Sequence, residues 1–274
     1  MLTCPAHLMS KKDGFLTATF CFILFWTFDV NSLARMIRVL DQFDAPPGHL
    51  TVEQLHASLG YSRSTLYRYL KVLSDFGLIA SDHGSGFTLG PRIIELNALI
   101  QSRDPLILAS TPVMETLVSR YHGTALLCRR FRDKVLCVHQ VADEGAHRPA
   151  FEVGRTRRLT QGAAARIVLA HVGPSQLRRL YAGNEAEFAQ AGLGDDLSGV
   201  RRSLRRIRDR GFDCEPCISG NGALAVAAPI FDGGASVVGS LTLLLPQTIL
   251  PEDRIDVIGS LVIRFAEEVR RTIG

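Results

Sequence analysis

The sequence lacks an apolar run long enough to cross a membrane as a helix. Its longest candidate, FLTATFCFILFWTF at residues 15–28, spans 14 residues, whereas a spanning helix needs about 18 or more. Two lysines precede this run, as in a signal peptide, but no small-x-small cleavage site follows it. We therefore expect no membrane partner, although a membrane-tethered protein is the alternative. Residues 1–30 are interpreted as an apolar N-terminal extension outside the fold, an upstream translation whose working start lies near Val30 rather than Met36.

Recognisable catalytic and metal-binding motifs are also missing. The chain contains no GxSxG, no HExxH, no phosphate-binding loop and no GxGxxG after a predicted strand. Its single CxxC, Cys214 to Cys217, has neither a second cysteine pair nor histidines at the spacing that zinc requires. The eight histidines are scattered, and His139, within a predicted strand, is interpreted as a structural or interface residue. We expect no enzyme, no cofactor and no metal.

The composition shows no strong excess of one charge, no low-complexity segment and no repeat of 20 to 50 residues, which excludes disordered and solenoid proteins. With 274 residues, 46% of them hydrophobic, the chain is long enough for about two globular domains. A net charge of +4 permits a polyanionic partner without requiring one. Six cysteines without a secretory cleavage signal favour reduced thiols in a cytoplasmic protein. Cys128 and Cys137 are equally far from a predicted turn, so a cysteine-based redox or ligand sensor is an alternative function.

Residues 31–90 predict a small helical unit that ends in a hairpin. A first amphipathic helix stops at DAPPGH, a second is capped by Thr51 and ended by Gly60, and Ser62 caps a third only two residues later. Two short strand-like runs, GLIA and FTL, follow across a segment rich in turn formers. The predicted order is therefore helix, helix, tight turn, helix, hairpin.

The third helix, in YSRSTLYRYLKVL, has the features of a DNA-reading helix. Leucines line one face, whereas the opposite face is cationic, hydroxylated and aromatic, without a carboxylate. Short hydroxyls and arginines suit base edges and phosphates in the major groove of double-stranded DNA. The predicted DNA-binding residues are Ser62, Arg63, Ser64, Thr65, Tyr67, Arg68 and Lys71. The unit holds five basic and five acidic residues, so affinity must come from charge placement and dimerisation. A non-specific architectural DNA-binding protein is the alternative.

Residues 103–274 predict a sheet covered by helices, an α+β layout, after a linker helix at residues 91–102. Pro112 is predicted to start a helix, and two strands follow at 124–130 and 134–141. A basic helix at 200–210, two apolar strands joined across DGGA and a closing helix from Pro251 complete the unit. The outer arginines of the basic helix are interpreted as a solvated face. The cluster Arg155, Arg157 and Arg158 is interpreted as a loop charge cluster or an interface contact.

Several stretches resemble the IclR-type transcriptional regulators, over some 240 residues from about Asn31. SLARMIRVLDQF, LTVEQLHASLGYSRSTLYRYLKVLSDFGLI and GFTLGPRIIEL are similar to the family's winged helix-turn-helix, and EVGRTRRLTQGAAARIVLA, IRDRGF and ALAVAAPIFD to its effector-domain signatures. The resemblance implies a winged helix-turn-helix at 31–90, a GAF-like α/β effector-binding and oligomerisation domain at 103–274, and a homodimer or tetramer. His56 replaces the alanine usual in the family, so we expect a small shift in helix packing.

The resemblance also implies a small-molecule site, formed by the loop TQGAA and the central strands. Carried over residue by residue, the predicted effector-binding positions are Ala163, Ala164, Glu215, Ala225, Thr242 and Leu244. Backbone N–H groups at a helix start suit a carboxylate. The strand positions are mostly less polar than in relatives that bind small hydroxy and keto acids, and ISGNG replaces an acidic motif. We therefore expect an aromatic or branched, apolar organic acid rather than glyoxylate or pyruvate.

Overall fold

The computed structural model describes residues 32–44, 48–82, 86–144, 151–217, 222–234, 236–247 and 254–274. The predicted extension 1–30 and most of ISGNG lie outside these residues. Within the described part of the chain, no helix is long and apolar enough to cross a membrane. The chain divides into two compact units, one up to Ala98 and the other from Leu99.

The N-terminal unit contains three helices, a hairpin and the start of a fourth helix. Its elements are α1 (Ser32–Asp41), a short 3₁₀ turn (Gln42–Asp44), α2 (Val52–Leu59), α3 (Arg63–Asp75), β1 (Ile79–Asp82), β2 (Gly86–Leu89) and α4 (Pro91–Arg103). The two strands pair antiparallel, and Leu50 bridges to Phe87 at the edge of the hairpin. This order is the one that the sequence predicts, a winged helix-turn-helix.

Local capping signals fix the tight turn between α2 and α3. Thr51 and Gln54 form a reciprocal capping box at the start of α2. Gly60 ends that helix at a positive φ of 67°, a conformation that favours glycine, and its N–H donates to the carbonyl of His56. Behind the turn, the unit packs around an apolar core that includes Val39, Leu55, Leu66, Leu70, Leu73 and Ile79.

The C-terminal unit is built on a six-stranded antiparallel sheet of order β5-β4-β3-β8-β7-β6. Its strands are β3 (Thr124–Phe131), β4 (Lys134–Ala142), β5 (Thr156–Arg158), β6 (Asp213–Pro216), β7 (Ala223–Phe231) and β8 (Val237–Pro246). Its helices are α5 (Pro105–Tyr121), α6 (Ala163–Leu169), α7 (Pro174–Tyr181), α8 (Glu185–Gln190), α9 (Leu197–Arg210) and α10 (Ile255–Ile273). The unit is α+β, as predicted.

Helices cover both faces of this sheet, so its strands alternate between two apolar cores. Leu126 and Cys128 of β3 point towards α6 and α9, whereas Ala125 and Leu127 point towards α5 and α10. Helix α10 approaches closely at Gly259, where an added Cβ would lie 2.3 Å from the ring of Phe212. The sheet is therefore buried on both sides, and its central strands are almost entirely apolar.

The prediction that a helix starts at Pro112 is wrong, because this proline lies inside α5. The helix begins instead at Pro105, after Asp104 accepts a hydrogen bond from the backbone N–H of Leu106 at 2.9 Å. An internal proline removes one helical hydrogen bond. Burial of apolar α5 residues on both sides of Pro112 against the sheet offsets that loss; they include Leu106, Ile107, Val113, Met114 and Leu117.

Candidate DNA-binding helix and effector cavity

Ser62 organises the N-terminus of α3. Its hydroxyl accepts a hydrogen bond from the backbone N–H of Thr65 at 3.3 Å and donates to the Thr65 hydroxyl at 2.9 Å. The Ser64 hydroxyl lies 3.1 Å from the Ser62 hydroxyl oxygen. The Ser62 hydroxyl therefore binds the other two hydroxyls predicted to contact DNA, and the Ser62 side chain serves as the helix cap.

The predicted outward face of α3 is exposed, while its opposite face is buried. Arg63, Arg68 and Lys71 are exposed, and Tyr67 keeps 58% of its surface accessible. By contrast, Leu66 and Leu70 are almost fully buried. The structure thus brings the predicted cations and the tyrosine onto one accessible surface.

The predicted face, from YSRSTLYRYLKVL, holds no carboxylate of its own, but two carboxylates outside that stretch approach its cations. Glu53 of α2 lies 4.0 Å from the guanidinium of Arg63, and Asp75, at the end of α3, lies 3.8 Å from the ammonium of Lys71. Both pairs are exposed, so each contributes little and is readily exchanged for phosphate. Arg68 has no carboxylate partner among the described residues, and its Cζ lies 5.6 Å from the ring centroid of Tyr69.

The C-terminal unit contains a small cavity between α6 and the central strands, with a volume of about 20 Å³. Five of the residues that the sequence assigns to effector binding line it, namely Ala163, Ala164, Ala225, Thr242 and Leu244. Gly162 precedes α6 at a φ of 79° and offers no side-chain cap to the backbone N–H groups of the first turn. A volume of this size holds about one water molecule.

Thr242 is the only buried polar side chain among these five positions. It lies on β8, between Leu126 of β3 and Ala227 of β7, and is 1% exposed. Its hydroxyl has no hydrogen-bond partner among the described residues. An unsatisfied buried hydroxyl costs about 1 to 3 kcal/mol, so the position favours a partner that enters the cavity.

Glu215, also predicted to bind the effector, does not line the cavity. Its carboxylate pairs with the guanidinium of Arg166, whose Nε lies 3.1 Å from Oδ2 of Asp213. Burial raises the pKa of Asp213, and the nearby charge of Arg166 opposes that rise. Glu215 therefore belongs to an ion-pair cluster that joins α6 to β6.

Gly162 belongs to the predicted loop TQGAA and also lines the cavity. The sequence does not single out the remaining residues of the lining, which are Leu126, Phe151, Arg157, Pro216 and Cys217. Arg157 was interpreted as a loop or interface charge, but it lies on β5 opposite Val135 of β4. Its neighbours Thr156 and Arg158 are exposed, whereas Arg157 is half-buried. Side chains alternate between the two faces of a strand, and this alternation separates Arg157 from its two neighbours. A strand of three residues is too short to recognise in the sequence.

The four cysteines in the described ranges do not form a reactive or metal-binding cluster. Cys128 and Cys137 face each other across β3 and β4, as the sequence suggested, and both are buried. A hydrogen bond with Cys137, together with burial, raises the pKa of the Cys128 thiol well above its usual range, which favours an unreactive thiol. Cys214 and Cys217 pack into the cores on opposite sides of the sheet. No group of three metal-binding side chains occurs within the described ranges.

Comparisons with known proteins agree with both units. Residues 32–83 match the IclR helix-turn-helix domain, and residues 98–271 match the bacterial transcriptional regulator IclR C-terminal domain. The HTH-type transcriptional regulator BhcR of Paracoccus denitrificans is 26% identical over 242 residues, covering 88% of this chain and 86% of that protein.

Two solved structures share the fold. An IclR transcriptional regulator from Alicyclobacillus acidocaldarius superposes with a TM-score of 0.74 at 22% identity, covering 90% of this chain and all of that chain. An IclR homologue from Microbacterium hydrocarbonoxydans, complexed with 4-hydroxybenzoate, gives a TM-score of 0.70 at 20% identity, covering 88% of this chain and 98% of that chain. The chain belongs to the IclR family of DNA-binding transcriptional regulators, a family without enzymatic activity, and carries its helix-turn-helix and its C-terminal ligand-binding domain.

Proposed function

We propose that this regulator reads an operator through α3 and that an aromatic or apolar organic acid, bound in the cavity of the C-terminal unit, controls that binding. It acts in the cytoplasm, where its DNA is, as a homodimer or tetramer. The observation that carries the proposal is that the chain has both features. One unit has an exposed cationic helix face, and the other has a cavity with apolar walls and one unsatisfied hydroxyl.

In the DNA-binding unit, the residues divide into positioning and contacting roles. Ser62 and Thr65 hold the helix N-terminus, because their hydroxyls are hydrogen-bonded to each other and to the backbone. Arg63, Ser64, Tyr67 and Arg68 contact base edges and phosphates, and Lys71 contacts the phosphate backbone. Since the unit carries no net charge, a second copy in an oligomer supplies the further phosphate contacts that tight binding needs.

In the C-terminal unit, the cavity favours a ligand with an apolar body and few polar groups. Leu126, Phe151, Ala225 and Leu244 provide apolar walls, and Thr242 provides one hydroxyl. The structural relative that was solved with 4-hydroxybenzoate supports this class of ligand, although its identity of 20% relates the folds and not the side chains.

Effector binding requires the cavity to open. Because about 20 Å³ holds a water molecule but not an aromatic acid, the lining side chains have to move when the acid enters. The acid therefore prefers an open arrangement of the lining. It alters operator affinity only by as much as it prefers one DNA-binding state over another.

Isothermal titration tests the effector class. Benzoate, 4-hydroxybenzoate and a branched aliphatic acid are compared with glyoxylate and pyruvate against the purified full chain. We expect measurable binding of at least one aromatic or branched acid and weaker binding of the two small acids. No heat from the first group, or tighter binding of glyoxylate or pyruvate, would mean that the effector class is wrong.

A further inference from the structure

Arg157 differs from the other residues around the cavity because it brings a positive charge to an otherwise uncharged lining. It extends from β5, where it lies opposite the buried Val135 of β4. Its guanidinium carbon lies 4.3 Å from the ring centroid of Phe151, a buried side chain that also lines the cavity. The charge is therefore partly removed from water and held at the cavity wall.

No carboxylate is paired with Arg157 among the described residues, although nearby arginines have such partners. Arg158, the next residue, pairs with Glu187, and Arg166 of α6 pairs with Asp213 and Glu215. Arg157 instead contacts an aromatic face and lies near the thiols of Cys217, Cys128 and Cys137.

The guanidinium stays charged in this environment. Burial lowers the pKa of Arg157 from its ordinary value. Because the pKa of an arginine lies far above neutral pH, the guanidinium still keeps its proton. A partly desolvated cation without a counter-ion is unfavourable, and a carboxylate is the group that satisfies it best, through two parallel hydrogen bonds.

We propose that Arg157 is the residue that selects a carboxylate ligand in this cavity, with the ring of the acid held against Phe151 and the apolar strand residues. The inference rests on the proposed function, and it names the residue that gives the cavity its preference for acids. One cation in an otherwise uncharged lining fits a monocarboxylate with one ring.

The test uses benzoate and its neutral analogue benzamide, which differ mainly in charge, against the full chain. For the wild-type protein we expect benzoate to bind about tenfold or more tightly than benzamide, the range of a charged hydrogen bond. Arg157→Gln should lose about tenfold or more for benzoate and change little for benzamide, so that the two affinities become similar. Arg157→Lys, which keeps the charge, should retain part of the preference.

Arg158→Gln is the matched control, because Arg158 is exposed on the same strand and paired with Glu187; its preference for benzoate should equal that of the wild type. Thermal unfolding of each variant shows whether the fold is intact. If the wild type binds neither compound, the proposed aromatic effector fails and Arg157 has no carboxylate to select. If the wild type binds benzoate and Arg157→Gln binds it equally well, the role of Arg157 is wrong although the proposed function stands. The same conclusion follows if Arg157→Gln and Arg157→Lys both lose affinity for benzoate and benzamide to the same extent.

Discussion

The imidazole of His56 donates a hydrogen bond through Nδ1 to the backbone carbonyl of Tyr61, at 2.6 Å, across the turn between α2 and α3. The backbone carbonyl of His56 in turn accepts from the N–H of Gly60 at 2.9 Å. One residue thus holds the turn through its side chain and its backbone. The ring is exposed, whereas the contact between the two helices is made by buried leucines such as Leu55 and Leu66. A shift of helix packing relative to other family members stays a prediction.

Loss of this hydrogen bond should destabilise the DNA-binding unit. We expect His56→Ala to lower the free energy of unfolding by about 1 kcal/mol, the usual net contribution of one such bond. His56→Asn, which keeps an N–H donor near the turn, should retain part of it. Urea unfolding followed by circular dichroism measures both; an alanine variant as stable as the wild type would show that the bond contributes nothing in solution.

Arg68 gives the most direct test of the reading helix. Because its guanidinium is exposed and has no carboxylate partner among the described residues, Arg68→Ala should weaken operator binding by about 1 to 3 kcal/mol. The control is Arg92→Ala, which removes an exposed arginine of α4 that is paired with Glu95. Fluorescence anisotropy with labelled operator reports the affinity. Unchanged affinity and footprint in Arg68→Ala would mean that α3 is not the reading helix.

Substitutions at Ser62 separate folding from DNA recognition. Ser62→Ala removes the cap that accepts from Thr65, so the unit should lose about 1 kcal/mol of stability. Ser62→Asp keeps a capping oxygen and should preserve stability, yet its carboxylate would repel phosphates and weaken DNA binding. Thermal unfolding and anisotropy are measured on the same samples. Full operator affinity in Ser62→Asp at low salt would place the start of α3 away from DNA.

The stability of the C-terminal unit should fall in mild acid because of His171. Burial lowers its pKa, the hydrogen bond from Nδ1 to the carbonyl of Ile167 opposes this shift, and the charge of Arg208 adds to the lowering. A folded pKa below the unfolded value of about 6.5 means that the unfolded chain takes up the proton first. The stabilisation is therefore complete above about pH 6.5 and is lost as pH falls through the lower folded value.

The measurement for His171 is urea unfolding at neutral and mildly acidic pH, for the wild type and for His171→Gln. The variant should lose less stability on acidification than the wild type does. His139 also has a pKa lowered by burial, so part of the acid sensitivity should persist and His139→Gln serves as the comparison. An identical pH dependence in wild type and His171→Gln would contradict the assignment.

The structural features that could be predicted are those set by residues close together in the sequence. The caps Thr51, Gly60 and Ser62 act on their own helices, so they identify the helix-turn-helix from the sequence alone. The assignment of Glu215 to the effector was implied instead by the resemblance to the family. Its pairing with Arg166 brings together β6 and α6, which are distant in the chain, and no local pattern records that contact.

The same reasoning explains the errors at Pro112 and Arg157. A proline usually begins or ends a helix, and only the burial of its apolar neighbours against the sheet shows that Pro112 lies inside one. Arg157 faces the cavity because three residues pair with β4. Such a short strand forms only because it pairs with another strand. The face to which each of its side chains points can therefore be assigned only when the partner strand is known.

The most direct measurement is the affinity of the full chain for DNA from upstream of its own coding region and for a scrambled sequence, each with and without benzoate or 4-hydroxybenzoate, at fixed salt. Salt is held constant because the phosphate contribution varies with it. We predict that the upstream DNA binds about a thousandfold or more tightly than the scrambled one, and that at least one acid changes that affinity. Equal binding of both sequences, unaffected by either acid, would show a non-specific DNA-binding protein and contradict the proposed regulator.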